Sequence, residues 1–202
     1  MNTPFNETDR DKIQKAIRKK YSKAAESPEG LFKYPTGRAG LEALQYDAEL
    51  IGGVPAAVIN SYCGVGNPFS LGPISAGNAV LDIGCGAGVD TLIAAMMTGP
   101  SGRVCGIDST PEMLARAEEN LSRTHLRNVT FQKASAENLP FPDSEFNIVI
   151  SNGALNLIPD KTKALSEAHR VLKPGGRLMI ADQILTGRLP ADTEQIIKSW
   201  SQ

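Results

Sequence analysis

Val80-Leu81-Asp82-Ile83-Gly84-Cys85-Gly86-Ala87-Gly88-Val89-Asp90 decides how this chain of 202 residues is read. A short buried strand carries one carboxylate, Asp82, and runs into three glycines at alternate positions, after which a helix begins. Glycine leaves the backbone bare, so a ligand can come close to the main chain, and the first N–H groups of the helix point at the same spot. A second acidic residue, Asp108, ends the next expected strand, Arg103-Val104-Cys105-Gly106-Ile107-Asp108. Together these features describe a nucleoside-cofactor pocket at the mouth of a parallel sheet.

Outward from this stretch, strands and helices alternate. Strands are expected at 79–83, 103–107, 128–132, 146–150 and 176–182, with helices at about 88–98, 110–123 and 161–172. Ser109 and Glu112 stand at capping-box spacing, with Pro111 in the first turn of the second helix. The third buries Ala164, Leu165, Ala168, Val171 and Leu172 and stops at Lys173-Pro174-Gly175-Gly176. This alternation is that of an α/β, doubly wound, mostly parallel sheet with right-handed crossovers and both faces covered. Ligands of such sheets lie outside the carboxyl ends of the strands near the switch point, where Gly84-Cys85-Gly86 and Asp108 both fall.

Ahead of the core, residues 8–25 read as a helix with Ile13, Ala16, Ile17, Tyr21 and Ala24 on one face and Asp9 and Asp11 in the first turn. Its basic residues, Lys15, Arg18, Lys19, Lys20 and Lys23, read as a solvated face. Short helices follow around Gly40–Gln45 and from Pro55 to before Gly64. Residues 1–75 are thus expected to form an N-terminal helical cap that covers the pocket, and 76–202 the cofactor-binding core.

The hydrophobic share of 41% and charged share of 21% are those of an ordinary globular protein. A net charge of −1 gives no electrostatic reason to expect nucleic acid or an anionic membrane as partner. The polar start and the lack of an apolar run near ~20 residues point away from secretion and membrane spanning. Three cysteines, Cys63, Cys85 and Cys105, without CxxC spacing indicate neither a disulfide framework nor a metal site. A cytoplasmic setting is expected.

A dinucleotide would call for G-x-G-x-x-G or A. Counting from Gly84 the third position is Val89, and from Gly86 it is Thr91, so neither register fits. Asp82 beside the turn is awkward for a pyrophosphate but suits a ligand carrying an ammonium and a sulfonium. Asp108 would accept hydrogen bonds from ribose hydroxyls.

The stretch from Val80 to Gly88 resembles the first motif of the class I S-adenosylmethionine-dependent methyltransferases. The resemblance continues through Gly106-Ile107-Asp108, Ala134 to Phe141, Phe146 to Asn152 and Arg170 to Gly176, in the family's order, and covers about residues 60–190. It implies S-adenosylmethionine as cofactor, with Asp82, Gly84, Gly86 and Gly88 around its methionine part and Asp108 on the ribose. It further implies Ser135, Ala136 and Glu137 near the adenine and Asn152 beside the transferred methyl. Two positions depart from the pattern: Ser135 and Asn147 each stand where an aspartate is common. In this fold the fifth strand is usually followed by a helix and an antiparallel hairpin. Here only a short helix at about 192–200 is expected, without the hairpin. Three explanations compete: a sequence cut short before the hairpin, a partner chain that supplies it, or a homodimer through the open edge.

The chain resembles the arsenite methyltransferases in particular, through Gly64-Val65-Gly66-Asn67-Pro68, Ile150 to Leu157 with Pro159-Asp160-Lys161, and Ala181-Asp182 followed by Leu189-Pro190. Arsenic(III) is soft and needs a cluster of thiolates. Yet Val65 and Gly153 occupy positions that carry cysteines in those enzymes, and the chain ends at Gln202, before a further one expected after Trp200. Only Cys63 remains as a candidate thiol. The expected function is therefore methyl transfer to a small-molecule acceptor. The alternatives are arsenite methylation with few cysteines and a non-catalytic S-adenosylmethionine-binding subunit. Tyr34, Tyr62 and Cys63 are acceptor-site candidates within the covering segment, which also holds Tyr46. No catalytic base is identified, since His125 and His169 read as surface residues.

Overall fold

The computed structural model describes residues 6–184, where the alternation expected from residue 79 onward is present. The segment expected to act as a cap contains α1 (Glu7–Glu26), α2 (Gly37–Ala43), α3 (Ala48–Gly52) and α4 (Ala56–Ile59). The core follows as β1 (Ala79–Ile83), α5 (Val89–Thr98), β2 (Arg103–Asp108), α6 (Pro111–Ser122), β3 (Val129–Lys133), β4 (Phe146–Asn152), α7 (Lys161–Val171) and β5 (Leu172–Ala181). The strands form one parallel sheet in the order β3-β2-β1-β4-β5. All five residues of β1 are buried, as its central position requires. Leu81 lies opposite Cys105 on one side and Val149 on the other. The chain leaves β1 toward β2 and β3, then returns to β4 on the far side, so a crevice opens at the carboxyl ends of β1 and β4.

Because side chains alternate along a strand, the sheet divides the core in two. Val80, Val104, Val129, Ile148 and Met179 face α5 and the cap residues Leu41, Ile51, Val58, Ile59 and Tyr62. Leu81, Ile83, Ile107 and Val149 face the other way, against Ala168 and Val171 of α7. Helix α5 lies between the sheet and the cap and is buried almost all round, so it has no polar face.

Several local expectations are corrected. The sequence Lys173-Pro174-Gly175-Gly176 does not end α7 but breaks the register within β5, where Phe146 pairs with Leu172 and Ile148 already with Arg177. Leu165 is 41% exposed and Leu172 belongs to the strand, so the buried face of α7 is Ala164, Ala168 and Val171. The N-cap of α6 is Thr110 with no side-chain cap bond, so the Ser109–Glu112 capping box is not formed. Helix α3 was not anticipated; Asp47 caps it by accepting from the Glu49 N–H at 2.8 Å. Pro55 is the N-cap of α4 and not its first residue. The helix expected at 192–200 lies outside the described residues. No helix among those described is long and apolar enough to cross a membrane.

Candidate active site

The turn after β1, the end of β2, the loop after β3, the end of β4 and helix α1 enclose a cavity of about 600 Å³. That is the size range of small-ligand pockets. Its wall includes Asp82, Gly84, Gly86, Asp90, Asp108, Ser135, Ala136, Glu137 and Asn152, and Tyr62 and Cys63 border it from the cap. Two candidates lie off it. Tyr34 instead donates its hydroxyl proton to the Cys63 carbonyl at 3.1 Å. Gly88 is the N-cap of α5, and a Cβ there would meet the Phe131 ring at 2.7 Å and Ala117 at 3.1 Å. Its missing side chain serves the packing of the turn on β3 and α6.

The turn itself is held by β2. The N–H groups of Gly84 and Cys85 both donate to the Ile107 carbonyl, at 2.8 and 2.9 Å. The Gly86 N–H donates to Asp108 Oδ2 at 3.0 Å, and the Thr110 N–H to Oδ1 at 2.7 Å. Asp108 is thereby oriented between the turn and the start of α6. Burial pushes its carboxyl up, while the backbone donors at Thr110 and Gly86 oppose the rise. At Gly84 the backbone is left-handed, with φ +75, and a Cβ would lie 2.2 Å from that of Ala154.

Two more carboxylates flank the turn. Asp82 is 2% exposed and accepts the Thr91 hydroxyl proton at 2.6 Å. Burial, and then the nearby Asp90, push its carboxyl up to about 8. Asp90, in the first turn of α5, is 8% exposed. Burial pushes it up to about 6, against the pull of Asn152 and Tyr46, which bond to it. Neither takes part in an ion pair among the described residues. The ligand-free fold therefore holds a proton on Asp82 that the unfolded chain has already lost above about pH 4. That contribution is present in full below the unfolded value and drains away as pH rises toward 8. The melting temperature of the ligand-free protein should fall between pH 5 and 8, a loss on the order of 3–5 kcal/mol. Asp82→Asn, which keeps an acceptor for Thr91, should flatten that fall; an unchanged slope in the variant would refute this account.

Asn152 has its carboxamide fully committed. Its oxygen accepts from the N–H groups of Val65 and Gly66 at 2.9 and 3.0 Å, and its nitrogen donates to the Gly66 carbonyl at 2.8 Å and Asp90 Oδ2 at 2.9 Å. The Tyr46 hydroxyl donates to Asp90 Oδ1 at 2.8 Å, and the Tyr62 hydroxyl to the Gly66 carbonyl at 2.9 Å. The residues near the expected adenine end serve local structure. Ser135 Oγ accepts from the Glu137 N–H at 3.2 Å, and Glu137 Oε1 from the Asp160 N–H at 2.7 Å. The Cys63 thiol borders the cavity, and burial raises it to about 12, so it is protonated near neutrality. Cys85 also lines the wall, whereas Cys105 packs in the core with Leu81 and Phe146. His125 and His169 are exposed and away from the cavity.

Sequence reasoning expected a covering N-terminal segment but named neither Asp90 nor the α1 residues that line the cavity. Gln14, Ile17, Arg18 and Tyr21 of α1 face the cavity. The basic face of α1 is partly engaged: Arg18 pairs with Glu112 at 3.1 Å, and Lys20 lies 4.8 Å from the centre of the Phe32 ring. Arg116 anchors the far end of α1, donating to the Ala25 and Glu26 carbonyls at 2.7 and 3.0 Å. A signal for Asp90 was available. An acidic residue among Val89, Thr91, Leu92 and Ile93 opens a helix with no other charge, and buried carboxylates are rare without a purpose.

Residues 74–202 match a methyltransferase domain family. An arsenite methyltransferase of Halobacterium salinarum is 40% identical over 159 residues, 79% of this chain and 40% of that protein. A demethylmenaquinone methyltransferase of Listeria monocytogenes is 38% identical over 109 residues, 54% of this chain and 46% of that protein. Among solved structures, an arsenic(III) S-adenosylmethionine methyltransferase from Chlamydomonas reinhardtii superposes with a TM-score of 0.60 at 35% identity, covering 82% of this chain and 54% of that one. The chain thus spans less than half the length of these curated relatives.

Proposed function

This chain belongs to the methyltransferase domain family, with S-adenosylmethionine as its cofactor, and we propose that the cavity binds that cofactor and presents its methyl group to a small organic acceptor. The observation that carries this reading is the convergence of Asp82, Gly84, Gly86, Asp108, Ser135, Ala136, Glu137 and Asn152 on one wall. The donor set fits: two buried carboxylates without cationic partners suit the ammonium and sulfonium of S-adenosylmethionine. Asp108 binds the ribose, and the loop Ser135–Glu137 lies along the adenine. Methyl transfer is an in-line displacement at the sulfonium carbon. The protein's share is to hold nucleophile, carbon and sulfur in line, an advantage of up to roughly 7–11 kcal/mol. Helix α1 covers the site, and residues 1–75 act as its cap over the core of 76–202. The cytoplasm is the compartment this reading implies. The outer edge of β5, which no described strand covers, is where a second protomer or partner chain would pair.

An organic acceptor is favoured over arsenite by one contact. A Cβ on Gly153 would lie 3.2 Å from both methyl carbons of Val65. The two positions that carry thiols in the resembled enzymes are thus adjacent here and hold a hydrogen and an isopropyl group. The experiment is transfer of a labelled methyl from S-adenosylmethionine to a panel containing arsenite with glutathione, demethylated quinols and other phenols. Label is expected on an organic acceptor and not on arsenic. Arsenic methylation lost in Cys63→Ser would establish the arsenite alternative, and cofactor binding without transfer to any acceptor would leave a non-catalytic binding subunit.

A further inference from the structure

Asp90 is the one buried carboxylate of the cavity that both cap and core hold in place. One oxygen accepts from Tyr46 of the cap at 2.8 Å, the other from Asn152 at the end of β4 at 2.9 Å. It stands on the first turn of α5, directly after the glycine turn, and lines the cavity. Each carboxylate oxygen has two lone pairs, so both of these bonds leave room for a further donor from the ligand. Its two protein partners are neutral, and the described residues offer it no ion pair. A carboxylate buried without a counter-charge is costly, and a cation arriving beside it recovers that cost.

Resting on the cofactor reading above, we propose that Asp90 accepts the α-ammonium of the cofactor's amino-acid end, with Tyr46 and Asn152 as its positioning residues. The ammonium is the fitting partner because it carries N–H donors, whereas a sulfonium has none. Asp82 differs in being tied to Thr91 of its own neighbouring helix, with no link to the cap. Through Asn152 the same carboxylate is joined to Gly66, whose carbonyl also accepts from Tyr62. The loop bordering the acceptor side is therefore held by the group that holds the amino-acid end.

The test compares three ligands by calorimetry on the full chain. S-adenosylmethionine has ammonium and sulfonium, S-adenosylhomocysteine only the ammonium, and 5′-methylthioadenosine neither. Asp90→Asn should weaken the first two by about 10- to 100-fold, the range of one charged hydrogen bond, while 5′-methylthioadenosine stays within about 2-fold. Tyr46→Phe should show the same selectivity with a smaller loss, about 3- to 10-fold for one neutral donor. Equal loss for all three ligands would mean a purely structural role, and loss confined to S-adenosylmethionine would mean a sulfonium partner. Either result, or unchanged binding throughout, overturns the proposal while leaving the cofactor reading intact. Failure of the unaltered chain to bind S-adenosylmethionine would overturn both.

Discussion

Asp108→Ala is expected to weaken S-adenosylmethionine binding by about 100-fold or more, since two charge-assisted hydrogen bonds at about 1.5–3 kcal/mol each would be lost. The side chain is oriented before any ligand arrives. The Gly86 N–H holds one oxygen and the Thr110 N–H the other, so the remaining lone pairs point at the cavity with little entropy left to lose. Alanine would remove the proposed ribose acceptor and the bond to the Gly86 N–H, while Gly84 and Cys85 stay tied to the Ile107 carbonyl. Equilibrium dialysis with labelled cofactor measures the loss, and circular dichroism at the same temperature checks that the sheet is intact. Binding within a factor of three of the unaltered chain would sink the assignment of Asp108.

Gly84→Ala should destabilise the fold strongly. The left-handed backbone at φ +75 costs a residue with a Cβ about 1–2 kcal/mol. The new methyl would also stand 2.2 Å from the Cβ of Ala154, an overlap that forces the turn away from the loop after β4 at about 1–3 kcal/mol. Together these reach about 2–5 kcal/mol, a large share of the 5–15 kcal/mol typical of a folded domain. Gly86→Ala is the control. Its φ is +52, but the nearest atom to its added Cβ is Met113 Sδ at 3.9 Å, so only the backbone cost of about 1–2 kcal/mol applies. Urea unfolding of the two variants should separate them by at least 1 kcal/mol, and equal midpoints would show that the approach to Ala154 is not what demands glycine.

Much of the core was legible because its signals are local. The apolar runs of β1, β2 and β4 and the 3.6-residue periodicity of α6 and α7 each depend on residues a few positions apart, and the alternation of the two types implies parallel pairing. Leu165 and the Lys173-Pro174-Gly175-Gly176 segment misled for the same reason. A periodic pattern does not report where a neighbouring strand stops covering a helix, and a turn signal does not report whether the chain leaves the sheet or bulges within it. The glycines divide in a similar way. Three at alternate positions mark a turn whatever surrounds them, but only the fold separates Gly84 and Gly86 on the cavity wall from Gly88 packed on Phe131.

By itself, then, the sequence determined the sheet's class, the glycine turn after its first strand and the acidic residue that ends the next one, all properties of contiguous stretches. The tertiary structure alone decided that Asn152 is occupied by the Gly64–Gly66 loop and which side chains of α1 line the cavity. It also joined Asp90 to Tyr46, 44 positions away, and to Asn152, 62 positions away. Bonds of that kind form only when separate elements are packed together, and burial then gives them their strength. Spacing along the chain carries no record of them.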